Sequence, residues 1–360
     1  NSYDEMIPLM QTYDTELPAY EKGEMSKLVS RYNRKNISGF NIALIADAQS
    51  DSLTGYNTYL HHYRSVANSA DVLPIDCIAD LGDMIMGSFS NKEATMSLLS
   101  KQTEVLAEKR LPVFRIKGNH DDNRWGVQIN SDSSLFINDS EWTKSCSADW
   151  KNTMSGSTAG EKQYYYRDFP EDKIRVIALD TQNIPYDPET LKSGYTFGFE
   201  EEQLEWLANE ALDFSGKSDK GEWGVVFLMH ALAYDNGSNV LNFGGFAAIT
   251  AAFKNGTSGN YSSDTEPAKV NGVNYDFTNQ GAMEIICILN GHTHCDGDGT
   301  MYGIKYVTTA CSLPDSSDCK LDRTIGTENE DLWDIITIDR NNKKIYTTRF
   351  GAGDDRELSY

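Results

Sequence analysis

The sequence is short of positive charge. Its 360 residues include 32 Lys and Arg against 54 Asp and Glu, which gives a formal net charge of −22 and a pI near 4.6. This excess of negative charge argues against broad electrostatic binding of duplex nucleic acid or of an anionic membrane, because both are themselves polyanions. The sequence also lacks any run of about 18 apolar residues, so no membrane-spanning helix is predicted.

Histidine is scarce as well, with six in the whole chain. Two of them, His61 and His62, lie in a predicted helix over residues 55–70, where we expect a solvated or partly packed face. The other four histidines lie at or shortly after the ends of apolar runs. They are His120, His230, His292 and His294. No serine stands in a Gly-x-Ser-x-Gly pattern, so the sequence does not favour a serine hydrolase.

The six cysteines predict little about redox state. Cys77 and Cys287 stand inside apolar runs and are expected to be buried thiols. Cys295 follows His294, but the next side chain on an extended segment points to the other face, so we do not expect it to bind a metal ion. An even number of cysteines permits disulfides without establishing any.

Five apolar runs each end in side chains that can bind a metal ion. Residues 42–46 end before Asp47 and Gln49, 75–81 before Gly82 and Asp83, 113–117 before Gly118, Asn119, His120, Asp121 and Asp122, 225–229 before His230, and 288–290 before Gly291, His292 and His294. The carboxyl ends of strands in an open α/β sheet converge on one crevice. These side chains are therefore expected to lie together.

Taken in order, these motifs resemble those of the calcineurin-like metallophosphoesterase superfamily. The resemblance covers residues 42–294 and rests on Asp47-x-Gln49, Gly82-Asp83, Gly118-Asn119-His120-Asp121, His230 and Gly291-His292-x-His294. Residues 118–123 and 349–356 are in addition similar to secreted or phage-tail-associated members from Gram-positive bacteria. The resemblance implies a four-layer α/β/β/α sandwich in which two mixed sheets are flanked by helices.

The resemblance also implies two divalent metal ions, chosen from Mn, Fe, Zn, Mg and Ni. The first ion would be held by Asp47, Gln49, Asp83 and His294, and the second by Asp83, Asn119, His230 and His292. Asp83 would bridge the two ions. Many members have histidine at the position of Gln49, whose side-chain carbonyl oxygen is a neutral and weaker donor than imidazole.

Such a centre predicts hydrolysis of a phosphate monoester or diester by a metal-activated hydroxide. His120 would face the substrate, where it would protonate the leaving oxygen or stabilise the equatorial oxygens. Asp121 and Asp122 would either begin a helix or orient His120 or a metal ligand. The expected partner is a small phosphorylated substrate, and the sequence does not predict the oligomeric state.

Two other functions remain open at this point. In the first, the chain keeps the fold but acts as a binding or structural module on a phage tail or cell surface, with Gln49 marking weakened catalysis. In the second, it is a nuclease that acts on small or single-stranded substrates, which salt-sensitive binding of oligonucleotides would indicate.

The chain is organised as an N-terminal arm and one domain. Residues 1–36 are polar and mixed and predict a helical or irregular arm, followed by a single domain over 37–360. Helical spacing covers 51–70, 92–109 and 200–212, loop insertions are expected near 125–160 and 254–274, and a terminal β-hairpin near 334–349. Few lysines and a start at Asn1 favour an extracellular or cell-surface protein over the alternative, a cytoplasmic one.

Overall fold

The computed structural model describes residues 17–50, 59–124, 132–146, 162–184, 196–232, 240–314 and 319–360. Its helices are α1 (Ala19–Lys35), α2 (Leu60–Ser69), α3 (Lys92–Ala107), α4 (Asp139–Ser145), α5 (Glu201–Trp206) and α6 (Phe243–Asn255). A π-helical turn over Leu207–Ala211 extends α5, and short 3-10 turns cover Ser133–Leu135 and Lys220–Glu222. Among the described residues, none of these helices is long and apolar enough to cross a membrane.

The first sheet is mixed. Its strands are β1 (Phe40–Ile45), β2 (Cys77–Asp80), β3 (Val113–Arg115), β14 (Leu332–Asp339), β15 (Lys344–Gly351) and β16 (Arg356–Ser359). The order across the sheet is β16, β15, β14, β1, β2, β3. Strands β1, β2 and β3 are parallel, whereas β14 runs antiparallel to β1 and forms the predicted hairpin with β15.

The second sheet is also mixed. Its strands are β4 (Tyr165–Phe169), β5 (Ile174–Ala178), β7 (Gly224–Met229), β11 (Glu284–Asn290), β12 (Gly297–Met301) and β13 (Ile304–Thr308). The order is β12, β13, β11, β7, β5, β4. Strands β13, β11, β7 and β5 run parallel to one another, whereas the edge strands β12 and β4 are antiparallel to β13 and β5. Two-stranded pairs join β6 (Phe197–Gly198) to β8 (Val240–Leu241) and β9 (Ser258–Ser263) to β10 (Val270–Asp276).

The two sheets pack face to face. One buried cluster contains Leu44 and Phe114 from the first sheet together with Val226 and Leu289 from the second. Continuous apolar strands such as β1 are buried on both faces, because helices cover the side turned away from the other sheet. Helices α1 and α2 pack on the first sheet, and α5 and α6 on the second. The predicted four-layer sandwich is confirmed.

The parallel strands end level with one another. Ile45 of β1 pairs with Asp80 of β2, which pairs in turn with Arg115 of β3. In the second sheet, Met229 of β7 pairs with Asn290 of β11. The loops that follow these strands therefore leave both sheets at one edge of the sandwich.

One expected loop is wrong. Residues 254–274 were expected to form a loop, but they contain the end of α6, all of β9 and most of β10. The pairing of β9 with β10 was not predicted from the sequence, because both strands are rich in polar and small residues, have exposed side chains on one face and lack a sustained apolar run. The other expected insertion covers residues 125–160, of which only 132–146 lie within the described residues. Of the expected N-terminal arm, residues 17–36 are described.

The expectation for His61 and His62 is also wrong. Helix α2 presents both imidazoles to the interior, and His62 is completely buried. The cause is tertiary packing. Helix α1 and the segment before β14 cover the polar face of α2 that carries both histidines. All six cysteines lie within the described residues and are free thiols, with Cys77 and Cys287 buried as expected.

Candidate metal centre

The structure brings all the predicted ligands to one place. Asp47 follows β1, Asp83 follows β2, and Asn119 follows β3 in the first sheet. From the second sheet, His230 follows β7, and the loop after β11 carries His292 and His294. Two backbone hydrogen bonds tie the first loops together, from the Asp47 amide to the Gly82 carbonyl and from the Gln49 amide to the Asp83 carbonyl, each of 2.9 Å.

The backbone of this centre is unusual. Five of the predicted ligands have left-handed conformations, with φ of 51° at Asp47, 40° at Gln49, 53° at Asp83, 70° at His292 and 57° at His294. Residues other than glycine adopt this region infrequently, and such strain concentrates at functional sites. Contacts with the surrounding structure therefore hold the backbone of these ligands in conformations that such residues adopt infrequently.

Two glycines make room for the carboxylates. A Cβ atom on Gly118 would lie 2.2 Å from Asp83 Oδ1, and one on Gly291 would lie 2.4 Å from Asp47 Oδ2. Both distances are far shorter than a van der Waals contact. Glycine is therefore required where these two loops pass the carboxylates.

One group of possible ligands surrounds His230. Its Nε2 lies 3.0 Å from Asn119 Oδ1, 3.3 Å from Asp83 Oδ2 and 3.2 Å from His292 Nδ1. The ligand atoms of Asp83, His230 and His292 all lie close enough to one another to hold one metal ion. These are the residues that the resemblance assigns to the second ion.

A second group surrounds His294. Its Nε2 lies 3.6 Å from Asp47 Oδ1, and Asp47, Asp83 and His294 are again close enough to hold one metal ion. The amide Nε2 of Gln49 lies 3.2 Å from His294 Nε2. A half-turn of this amide would bring its carbonyl oxygen to the same position, so Gln49 is placed to complete the group.

Hydrogen bonds orient the ligands. His230 donates from Nδ1 to the Leu81 carbonyl over 2.9 Å, which turns Nε2 toward Asp83 and Asn119. The backbone amide of His292 donates to Asp47 Oδ2 over 2.9 Å. A histidine that ligates a metal through one nitrogen usually donates its other N–H to a carbonyl or carboxylate.

The electrostatics of the group also suit a cation. Burial alone would raise the pKa of Asp83, but His120 and His230 outweigh it and hold this pKa well below its usual range. Burial lowers the pKa of His230, but Asp83 and Asp47 outweigh it and raise the pKa to about 10. Burial, together with the charge of His230, lowers the pKa of His292 to about 3. Asp83 is therefore ionised and His292 neutral, the forms that bind a metal ion, whereas His230 would release a proton when an ion binds.

Asp47 provides a direct test of whether a metal ion fits. Its side chain is completely buried, and its Oδ1 accepts no hydrogen bond from the described part of the chain. A buried carboxylate oxygen without a donor is costly. This oxygen faces His294, at the position where the first ion would lie, so the residues present fit the implied metal.

His120 stands at the edge of the group. Its Nδ1 donates to the Met86 carbonyl over 2.7 Å, and its Nε2 lies 3.7 Å from Asp83 Oδ2. A carbonyl can only accept, so the proton of a neutral imidazole is on Nδ1 and Nε2 faces the centre. Nε2 of His120 lies farther from Asp83 Oδ2 than Nε2 of His230 does, at 3.7 Å against 3.3 Å.

Asp121 and Asp122 have different surroundings. Asp121 accepts hydrogen bonds from the backbone amides of Gly118, Asp83 and Met84, at 2.7, 3.0 and 2.7 Å. Asp122 accepts from the backbone amide of Arg124 and pairs with its guanidinium. Residues 119–122 form turns and do not begin a helix. Asp121 therefore connects the loops of two ligands, and Asp122 does not.

Asp121→Asn is expected to weaken metal retention by about 10- to 100-fold, as for other residues that orient ligands. The amide keeps the shape of the side chain but turns an NH₂ group toward backbone N–H donors. Metal content after dialysis, measured by mass spectrometry, tests this. Asp122→Asn is the matched control, and equal metal loss from both variants would contradict the assignment.

Sequence reasoning did not identify every residue of the centre. The ring of Phe197 packs edge-on against His292, with centroids 4.8 Å apart. Phe197 belongs to a two-residue strand with no periodicity that could reveal it. The carbonyls of Leu81 and Met86 also take part, and backbone groups leave no signal in a sequence.

Neither a protein-family model nor a curated protein matches this chain. Among solved structures, it is similar to a dimetal phosphatase from Danio rerio, with a TM-score of 0.56 and 14% identity, covering 90% of this chain and 100% of that one. It is also similar to an inner-membrane-complex anchor protein of Plasmodium (TM-score 0.43, 11% identity, 90% and 89% covered). A third is a phosphopantetheinyl hydrolase from Mycobacterium tuberculosis (TM-score 0.33, 11% identity, 76% and 90% covered).

Of these three, the dimetal phosphatase is similar enough to define the fold. At 14% identity the similarity shows a common fold and nothing finer. The fold implied by the resemblance to the calcineurin-like metallophosphoesterase superfamily is therefore confirmed.

Proposed function

We propose, from the fold that this chain shares with a dimetal phosphatase, that it hydrolyses phosphate esters with the help of two divalent metal ions. The observation that carries the proposal is that two groups of possible ligands, Asp83 with His230 and His292 and Asp47 with His294, meet at one residue, Asp83. A carboxylate has two oxygens and can bridge two ions. Paired ions of this kind are typical of phosphoester hydrolases.

Asp47, Gln49, Asp83 and His294 would hold the first ion, and Asp83, Asn119, His230 and His292 the second. When bound, the ions supply Lewis-acid polarisation of the phosphoryl oxygens and lower the pKa of a water molecule to near neutral. The donor set mixes carboxylate, amide and imidazole, which suits Mn, Fe, Zn or Ni and does not select one of them.

Residues around the centre orient the metal ligands and His120. The hydrogen bonds that Asp121 accepts from the backbone amides of Asp83 and Gly118 hold the ligand loops before substrate arrives, so little reorganisation accompanies the reaction. His120, fixed through Met86, presents Nε2 toward the centre. In its protonated form it would donate to the leaving oxygen or to an equatorial phosphoryl oxygen.

The substrate that we propose is a small phosphorylated molecule. With a net charge of −22, the protein has no long-range attraction for a polyanion, so affinity would come from the ions at the centre. Monoesters and diesters both remain candidates.

Hydrolysis of a chromogenic phosphomonoester and of the corresponding diester, with Mn, Mg, Zn, Fe or Ni supplied in turn, tests the proposal. We expect turnover that requires metal and stops on chelation. His120→Ala is expected to keep its metal and turn over more slowly, which separates substrate chemistry from metal binding. Bound metal without turnover of either ester would contradict the proposal and favour a binding module.

Gln49→His is expected to retain activity and to hold the first metal ion more tightly. Imidazole is a stronger donor to transition metals than a neutral amide oxygen, and the position is already buried beside His294. Metal content after extended dialysis is the measurement. Equal retention by the wild type and the variant would show that residue 49 does not contact the ion.

A further inference from the structure

A second cluster of metal-binding side chains lies outside the centre described above. Glu21 of α1 and the adjacent His61 and His62 of α2 place their ligand atoms close enough together to hold one ion. Glu330, just before β14, joins them. None of these residues belongs to the candidate metal centre, and they come from three separate parts of the chain.

The donor atoms converge on one point. Glu330 Oε1 lies 2.7 Å from His61 Nε2 and 3.2 Å from His62 Nε2. Glu21 Oε1 lies 3.6 Å from His61 Nε2. Two imidazole nitrogens and two carboxylate oxygens thus face one another, a set that zinc accepts in four-coordinate sites.

Glu21 is the side chain that hydrogen bonding does not explain. It is 1% exposed, and neither of its carboxylate oxygens accepts a hydrogen bond from the described residues. Glu330, by contrast, accepts from Tyr20 and from the Gly326 amide as well as facing both histidines. A buried carboxylate without a donor is costly, and a second carboxylate beside it adds to the cost. A cation between them removes both costs.

His62 is oriented as a metal ligand is. Its Nδ1 lies 2.8 Å from Ser312 Oγ and 3.1 Å from Asp331 Oδ1, so this nitrogen can donate while Nε2 faces Glu330. A carboxylate behind the ligating histidine is the usual outer partner in zinc sites. Asp331 is itself held by Ser65, Ser312 and the Leu332 amide.

A network of protonated histidines explains the cluster less well. The rings of His61 and His62 have centroids 4.4 Å apart, so two imidazolium charges would lie side by side in a buried position. Even then, Glu21 would remain 3.6 Å from the nearest imidazole nitrogen, longer than a hydrogen bond.

We propose that Glu21, His61, His62 and Glu330 form a structural zinc site. The ion joins α1, α2 and the segment before β14, and so stabilises the packing of α1 against the rest of the domain. Burial of the donors leaves no open position for a substrate, which distinguishes this site from a catalytic one.

Zinc content tests the proposal in a protein whose candidate metal centre has been disabled. An Asp47→Asn, Asp83→Asn variant is loaded with zinc alone, dialysed and analysed by mass spectrometry. We expect one zinc ion per chain, and none after Glu21→Gln is added. Glu24→Gln is the matched control, since Glu24 is also buried on α1 but pairs with Arg31, and it should leave the zinc in place.

Absence of zinc from the disabled variant, or equal zinc with and without Glu21→Gln, would overturn the proposal. Circular dichroism shows whether Glu21→Gln still folds. If it does not, X-ray absorption at the zinc edge of the disabled variant decides the question. Nitrogen and oxygen ligands with two imidazoles that persist after His230→Ala and His292→Ala are added support the site, whereas sulfur ligands or loss of the zinc from that variant overturn it.

Discussion

Asp83→Asn is expected to reduce phosphoesterase activity by more than about 100-fold, beyond the 10- to 100-fold loss that follows removal of an outer ligand partner. Asp83 is the residue that the two ligand groups share. Its Oδ2 faces His230 and its Oδ1 accepts the His120 backbone amide. Asparagine keeps the shape but loses the negative charge and one of the two donor oxygens, so a single residue change weakens both ion sites.

The measurement is kcat/KM on the preferred chromogenic ester together with the metal content of each protein. We expect Asp83→Asn to lose both turnover and metal. Asp298→Asn is the control, because Asp298 is an exposed carboxylate that pairs with Lys305 away from the centre. Full activity in Asp83→Asn with its metal retained would rule out a bridging role for this side chain.

Arg349→Met is expected to lower the free energy of unfolding by about 3–5 kcal/mol, as removal of one partner of a buried ion pair does. Arg349 is 1% exposed on β15, and its guanidinium donates to Asp334 Oδ1 over 2.8 Å and to Asp334 Oδ2 over 3.1 Å. It also donates to Asp296 and to the Ala352 carbonyl. Without it, the completely buried Asp334 would lack its main counter-charge.

Denaturant unfolding followed by circular dichroism measures this change. Lys343→Met serves as control, since Lys343 pairs with Glu284 at the surface and should cost less than about 1 kcal/mol. Adding Asp334→Leu to Arg349→Met should restore part of the stability, because it removes the uncompensated charge. A loss from Arg349→Met no larger than that of the control would show that the burial argument is wrong.

The strands were the most predictable part of the fold. The apolar runs at 42–46, 113–117 and 225–229 each overlap an observed strand, and the helices predicted over 92–109 and 200–212 are present. These elements are buried, so their composition had to be apolar or amphipathic whatever their partners. The strands β9 and β10 were not predicted, since β9 is mostly exposed and β10 buries only Val270, Val273 and Tyr275 among polar residues and glycine, so neither has a sustained apolar run.

The two histidine groups show the same contrast. His292 and His294 follow a buried strand and a glycine, and this local context predicted their position at the centre. His61 and His62 lie on a helix whose local pattern is the same whether the face is solvated or covered. Glu330 lies 269 residues from His61 along the chain, and Glu21 lies on a different helix. Both fall outside the windows over which sequence periodicity is informative, so their contacts with these histidines could not be predicted.

Several expectations stay predictions. These are the single domain over 37–360, the number and identity of the metal ions, the role of Gln49 as a ligand, the similarity to phage-tail proteins and export from the cell. Neither the fold nor its similarity to the dimetal phosphatase determines any of them.

The amino-acid sequence alone shows which chemical groups follow which strands, and the resemblance carried by their order implies the fold and the ligand types of the candidate centre. Those properties are local, because a strand and the loop after it are contiguous in the chain. The left-handed backbone at Asp47 and Asp83, the approach of Gly291 to Asp47 and the burial of Glu21 beside His61 arise only when distant segments pack together. Packing therefore decided the geometry at both clusters, since it depends on distances between residues that are far apart in sequence.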